Sequence, residues 1–207
     1  ADLDINALPD SVDNRIFATP IRNQGLCGAC WGFSTAAATE VAFNKANGYR
    51  HPVGSKTPSQ WFSTQELIDC SHGPNGTHEG ARKFTGTRGC LGGWPLTAMK
   101  YYVDNGAVFD YYYTFDATNG KQCKTPTFNS DQKLKPISDA QLIINKGNTS
   151  AAVLLMKAVI ATHGAFGTII NTLEDFQFWQ GGIYDNPKCT PAFDHAVAVV
   201  GYGKGLS

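Results

Sequence analysis

The spacing of apolar and polar positions changes character near the middle of the chain. Between Cys30 and Asn47, the residues Trp31, Phe33, Ala37, Val41 and Phe43 fall on one helical face, and Gly48 supplies a stop. This spacing predicts a buried helix of about 17 residues. Ser63-Thr64-Gln65-Glu66, ahead of Leu67 and Ile68, has the form of a capping box, and residues 95–105 open on proline and stop before Gly106. Residues 124–136 are polar and proline-punctuated, which predicts a crossing between halves. Strand character dominates beyond it, apart from a helix predicted over 151–162. Residues 164–170 and 195–201 predict short buried strands; in the second, His195, Val197 and Val199 share one face and Ala196, Ala198 and Val200 the other. A helical half followed by a β-rich half is the α+β pattern.

At 207 residues the chain predicts one domain or two tightly packed halves. Seventeen basic residues balance seventeen acidic ones, so the electrostatic footprint of a nucleic-acid or anionic-membrane binder is missing. The longest apolar helical stretch, 151–161, is interrupted by Lys157 and is too short to span a bilayer, so a soluble protein is expected. No signal peptide opens the chain, because the first ten residues lack an apolar core; a secreted protein would be a processed form. Six cysteines and two Asn-x-Ser/Thr sequons, at Asn75 and Asn148, favour an oxidising compartment with candidate glycosylation at both asparagines.

The densest chemistry is in Gln-Gly-Leu-Cys-Gly-Ala-Cys-Trp, residues 24–31. A Cys-x-x-Cys spacing admits three readings. A zinc clip needs two further ligands, and the histidines at 51, 72, 78, 163 and 195 are not paired at ligand spacing, apart from a loose 72 and 78. A redox dithiol expects an early βαβ context that is missing here. In the third reading the two cysteines have separate tasks. Cys30, at the first turn of a buried helix, faces the positive end of the helix dipole, which favours its thiolate, while Cys27 anchors the loop through a disulfide. Cys30 becomes a nucleophile if a histidine completes an ion pair. His195, after Phe193-Asp194 and at the start of an apolar strand, is the candidate, although a lone histidine beside a strand is more often a satisfied structural residue. His51, His72, His78 and His163 read as structural or exposed.

Cys27-Gly28-Ala29-Cys30-Trp31 resembles the signature of the papain-like cysteine peptidases, which include the lysosomal cathepsins. The resemblance continues in order through Leu8-Pro9-Asp10, Gln65-Glu66-Leu67-Ile68-Asp69-Cys70, Gly89-Cys90-Leu91-Gly92-Gly93-Trp94-Pro95, Asp175-Phe176-Gln177, Gly181-Gly182-Ile183-Tyr184, Asp194-His195-Ala196-Val197 and Gly201-Tyr202-Gly203.

This resemblance implies a two-lobed fold with the cleft between its lobes: a helical lobe over 12–133, and a β-barrel-like lobe over 1–11 and 134–207. It implies a cysteine endopeptidase acting through a thioester, with Cys30 as nucleophile, His195 as its partner, and Gln24 donating to an oxyanion hole together with the Cys30 backbone N–H. Gly92 and Gly93 would pair with an extended peptide, with Asp194 also at the binding site. Trp94, Pro95, Thr168, Phe193 and Ala196 would line a pocket for a hydrophobic side chain two residues before the cleaved bond. The implied disulfides are Cys27 with Cys90 and Cys70 with Cys123, leaving Cys189 over. No metal and no cofactor is implied. Peptide or protein substrates, an inhibitory propeptide, cystatin-like inhibitors, and a lysosomal or secreted location are.

Two departures stand out. The family's orienting asparagine follows the histidine in an Asn-Ser-Trp-Gly segment, and residues 196–207 contain neither Asn nor Trp. A separate light chain carrying that asparagine and the partner of Cys189 is expected, as in cathepsins cut into two chains; the alternative is a truncated, non-catalytic homologue acting as a protein-binding module. The segment 71–89 is also longer than the family's usual connection and is expected beside the cleft. It does not follow Trp94-Pro95, where a blocking loop would sit, so endopeptidase action is expected.

Overall fold

The computed structural model describes residues 4–51, 61–71, 86–119, 121–144 and 147–203. His72, His78 and the Asn75 sequon lie outside the described residues. Four α-helices order the described chain: α1 (Cys30–Asn47), α2 (Thr64–Cys70), α3 (Pro95–Asn105) and α4 (Thr149–His163). Six short strands join them: β1 (Val12–Asp13), β2 (Ala107–Val108), β3 (Lys133–Leu134), β4 (Phe166–Ile170), β5 (His195–Val199) and β6 (Gly201–Tyr202). The strands make three antiparallel pairs, β1 with β6, β2 with β3 and β4 with β5, and among the described residues they do not close into a barrel.

α1 covers the span that its spacing predicts, and Gly48 ends it in the left-handed region at φ 71°. It is buried on more than the predicted face, because Ser34, Thr35, Thr39, Glu40 and Asn44 are buried too. The helix runs through the centre of the molecule. Most of its buried polar side chains are satisfied there, whereas Thr39 Oγ1 and Asn44 Oδ1 have no hydrogen-bond partner among the described residues. Glu40 takes the Arg22 guanidinium at 2.8 Å and the Phe62 N–H at 2.8 Å, and the Thr35 hydroxyl donates to the carbonyl of Trp31 at 2.8 Å.

The α2 capping box forms by half. Ser63 Oγ accepts the Glu66 N–H at 2.9 Å, but Glu66 turns inward and accepts the Val108 N–H at 2.9 Å instead of reaching back to Ser63. α4 begins two residues earlier than expected because Asn148 Oδ1 caps it through the Ala151 N–H at 3.0 Å. The predicted strand over 195–201 is broken at Val200, whose carbonyl accepts the Asn14 N–H at 3.0 Å. At that point the chain leaves β4 and pairs with β1. Asn14 also donates to Ile160 and Gly164, so the pairing of the amino-terminal segment with the β-rich half reaches past residue 12.

The main core gathers Trp31, Leu67, Ile68, Ala98, Tyr102 and Val108 from α1, α2, α3 and β2, with Phe62 from the segment before α2; a smaller one joins Ala38 and Val41 of α1 to Ala165.

Candidate active site

The loop before α1 is fastened from several directions. Cys27 is bonded to Cys90, and the Gly28 N–H donates to the Cys90 carbonyl at 2.9 Å. The Gln24 side-chain amide donates to the Cys27 carbonyl at 3.1 Å, which leaves its second N–H for another acceptor. Ala29 supplies no side-chain cap to α1, so the positive end of the helix lies open beside Cys30. Cys30 is a free, half-buried thiol, whereas Cys27 is buried in a cystine. This removes the dithiol and zinc-clip readings of the Cys-x-x-Cys spacing.

Contacts along α1 set its register against β5. The Ser34 hydroxyl donates to the Val197 carbonyl at 2.7 Å. Further along, Ala38 and Val41 share a cluster with Ala198 and Val200. Helix and strand therefore run in the same direction. Cys30 lies one turn before Ser34 and His195 two residues before Val197; one turn rises about 5.4 Å and two strand residues about 6.6 Å, so the two side chains stand at the same end of the packed pair. Cys30 also packs against the core cluster that contains Ala196, the residue after His195.

Trp94, Pro95 and Thr168 line one cavity of about 260 Å³, together with Met99, Met156 and Ile169. Its walls are largely apolar, as expected for a pocket that takes a hydrophobic side chain. Phe193 and Ala196, predicted in the same set, are not among the lining residues: Phe193 is exposed, and Ala196 is buried in the core. Met99 and Met156 were missed because each reads locally as an ordinary helical core position. Gly93 lies flat against the Trp31 indole, and Gly92 stands in a positive-φ turn at φ 110°.

Asp194 is held by the end of β4. Its Oδ1 accepts both the backbone N–H and the hydroxyl of Thr172, each at 2.8 Å. These bonds keep the Asp194 carboxyl below the usual carboxylate range, and the neighbouring His195 charge acts in the same direction.

The second implied disulfide, Cys70–Cys123, is formed, and Cys189 is free and exposed. Asn148 is an exposed helix cap. His51 is buried, with its ring 3.3 Å from the Asn44 amide, a structural role. His163 ends α4, and burial pulls its titration down. No cluster of three or more metal-ligating side chains occurs among the described residues.

An uncapped helix start bearing a free thiol, locked to its surroundings by a disulfide one turn away and packed along a histidine-bearing strand, defines a cysteine-protease architecture. The model of the "Papain family cysteine protease" matches residues 8–206, and the chain belongs to that family. Cysteine proteinase 4 of Dictyostelium discoideum is 36% identical over 191 residues, which are 91% of this chain and 38% of that protein. Mouse cathepsin S is 34% identical over 95% of this chain and 51% of its own length. The chain thus spans between a third and a half of these relatives. Among solved structures, procathepsin L 3 from the larval midgut of Tenebrio molitor superposes with a TM-score of 0.71 at 27% identity, over 96% of this chain and 56% of its own. Bromelain from Ananas comosus, in complex with the inhibitor E64, gives 0.70 at 27% identity over 95% and 77%.

Proposed function

We propose that the protein is a cysteine endopeptidase in which Cys30 and His195 form a thiolate–imidazolium pair. The observation that carries this reading is the division of labour between the two cysteines: Cys27 is consumed in a disulfide, while Cys30 stays free at the open start of α1. The Cys30 sulfur attacks the carbonyl carbon of a bound peptide. The resulting oxyanion is met by the Cys30 backbone N–H and the free N–H of the Gln24 amide. His195 then gives its proton to the departing amine, which leaves a thioester on Cys30. Water enters, loses a proton to His195 and releases the acid, restoring the pair.

Gly92 and Gly93 offer backbone to an extended substrate, and the cavity behind Trp94 and Pro95 takes a hydrophobic side chain two residues before the cleaved bond. A light chain supplies the asparagine that orients His195 and the partner of the exposed Cys189. An inhibitory propeptide and cystatin-like inhibitors act on the same cleft, in a lysosomal or secreted setting.

The test uses the full-length protein. A thiol-reactive epoxide is expected to label Cys30, and a fluorogenic peptide with a hydrophobic residue at the second position before the bond is expected to be cleaved. Cys30→Ser should lower turnover at least about 10⁴-fold. A folded protein that binds such peptides yet neither labels nor turns over is the binding module instead.

A further inference from the structure

We infer that Arg22 is a positioning residue that holds the Gln24 amide in register with Cys30, an inference that rests on the reading of Gln24 as an oxyanion donor. The loop around Gln24 is not held by burying apolar side chains, since Ile21 and Leu26 on either side of it are exposed. Within the loop, Asn23 Oδ1 accepts the Gly25 N–H at 2.8 Å, a turn that Gly25 completes at φ 59°. Such a turn shapes the loop without attaching it to its surroundings. The Cys27–Cys90 disulfide attaches its far end, and the Arg22 guanidinium attaches its near end.

Arg22 is built into the body of the molecule. Its Nη2 donates to Glu40 Oε1 at 2.8 Å and its Nη1 to the Phe62 carbonyl at 3.0 Å, while Cζ packs over the rings of Phe33 and Trp61, 5.3 Å from each centroid. The Arg22 side chain is 10% exposed and that of Glu40 is fully buried, so solvent screens the pair little. The other Glu40 oxygen accepts the Thr19 hydroxyl, which fastens the approach to the loop on the same carboxylate. Glu40 and Phe33 belong to α1, the helix that starts at Cys30. Nucleophile and oxyanion donor are thus referred to one rigid element: Cys30 as its first residue, and Gln24 through Arg22, two residues earlier in the chain. With the guanidinium removed, Gln24 keeps its bond to the Cys27 carbonyl at 3.1 Å, but the near end of the loop is free to drift from α1. An oxyanion donor acts only within hydrogen-bond distance of the developing charge, so this drift weakens transition-state stabilisation more than substrate binding.

The test compares the full-length protein with Arg22→Gln, Arg22→Lys, Gln24→Ala and the double variant Arg22→Gln/Gln24→Ala. Gln24→Ala should lower kcat about 100-fold, the usual loss of one oxyanion donor, and Arg22→Gln about tenfold, both with KM nearly unchanged. Arg22→Lys keeps the charge beside Glu40 but not the two-point grip, and its kcat should lie about threefold below wild type. In the double variant kcat should match that of Gln24→Ala, because a donor that is gone cannot be misplaced. A peptide aldehyde, whose carbonyl carbon bonds to the Cys30 sulfur as its oxygen takes up the charge and then a proton, should bind Arg22→Gln about tenfold more weakly. Exchange of Cys30 with a dipyridyl disulfide, in which sulfur attacks sulfur and thiopyridone leaves, should keep its wild-type rate. If Arg22→Gln does not fold, which circular dichroism reports, Arg22→Lys with and without Gln24→Ala carries the same comparison. Wild-type kcat in the Arg22 variant, a loss that multiplies with that of Gln24→Ala, or slowed exchange at Cys30 overturns the role of Arg22 and leaves the peptidase reading intact. Wild-type kcat in Gln24→Ala removes the oxyanion role of Gln24 and this role with it.

Discussion

At the scale of single residues, one tight constraint around the candidate site is steric. A methyl group placed on Gly93 would lie 2.7 Å from Cδ2 and 2.8 Å from Cε2 of Trp31, nearer than packed carbon atoms approach. The indole cannot yield, because it is fully buried and its Nε1 donates to the Gly89 carbonyl at 3.0 Å. Gly93 is thus needed for the close approach of the Cys90 loop to α1, whatever its part in holding a peptide. Gly93→Ala is expected to destabilise the fold by about 1 to 3 kcal/mol, the usual cost of overpacking, seen as a lower urea midpoint with unchanged slope. Since the same shift moves the Gly92-Gly93 backbone, KM for an extended peptide should rise in the folded variant. A midpoint equal to wild type would show that Trp31 can be displaced at no cost.

Between elements, one hydrogen bond sets the register on which the site depends. The Ser34 hydroxyl on the Val197 carbonyl fixes α1 along β5, and the tight contact with Gly167, whose added Cβ would lie 3.0 Å from Ser34 Oγ, leaves the hydroxyl little room to turn. Ser34→Ala removes this bond to the Val197 carbonyl, at a cost of about 1 kcal/mol, and lets the strand slide on the helix. Small misplacements of reacting groups are amplified in rate, so kcat should fall about tenfold with KM nearly unchanged. A variant losing stability but not kcat would put the register elsewhere. Sequence alone reaches much of this level. α1 and α3 are legible because their signals are local: a proline or an apolar face at the start, a glycine at the end. The capping box on Ser63 is half legible, since the Val108 N–H that captures Glu66 is 42 residues away in the chain. The break at Val200 and the clamp of Thr172 on Asp194 are illegible for the same reason: each depends on a segment that folding brings in from a distance. Cys30 and His195 were legible as candidates from a helix start and a strand edge, and their pairing from a resemblance of motifs; what brings them to the same end of the helix–strand pair is the packing of α1 on β5.

At the scale of the whole molecule, the folded state is expected to prefer acid, and the reason is Glu66. Its carboxyl is fully buried where α2, α3, β2 and the turn at Thr125 meet, accepting the Val108 N–H at 2.9 Å, the Thr125 hydroxyl at 3.0 Å and the Tyr101 hydroxyl at 3.3 Å. These donors favour the ionised form, and so does Lys133 at longer range, but none is a cation in contact. Glu40, also fully buried, has Arg22 instead. Burial therefore dominates and pushes Glu66 up to about 7 from an ordinary value of 4.5. Folding binds a proton here that the unfolded chain has already released between these two values. The stabilisation from Glu66 is complete below about pH 4.5 and is lost as pH rises through 7, amounting to roughly 3 kcal/mol. Asp69 and Asp110, raised by burial as well, act in the same direction. Asp13, Asp116 and Asp175 are lowered and act oppositely, but they are exposed and their weight is small; His163, lowered by burial, also acts oppositely within this window, and the larger shift of the fully buried Glu66 outweighs it. Chemical denaturation of the full-length protein across pH 4.5 to 7.5 should show stability declining toward neutrality. Glu66→Gln, which cannot ionise, should flatten that decline while lowering stability at pH 5, since an amide cannot accept on both sides as the carboxyl does. A wild-type profile that is flat, or that rises between pH 5 and 7, would mean that Glu66 keeps its charge inside the fold.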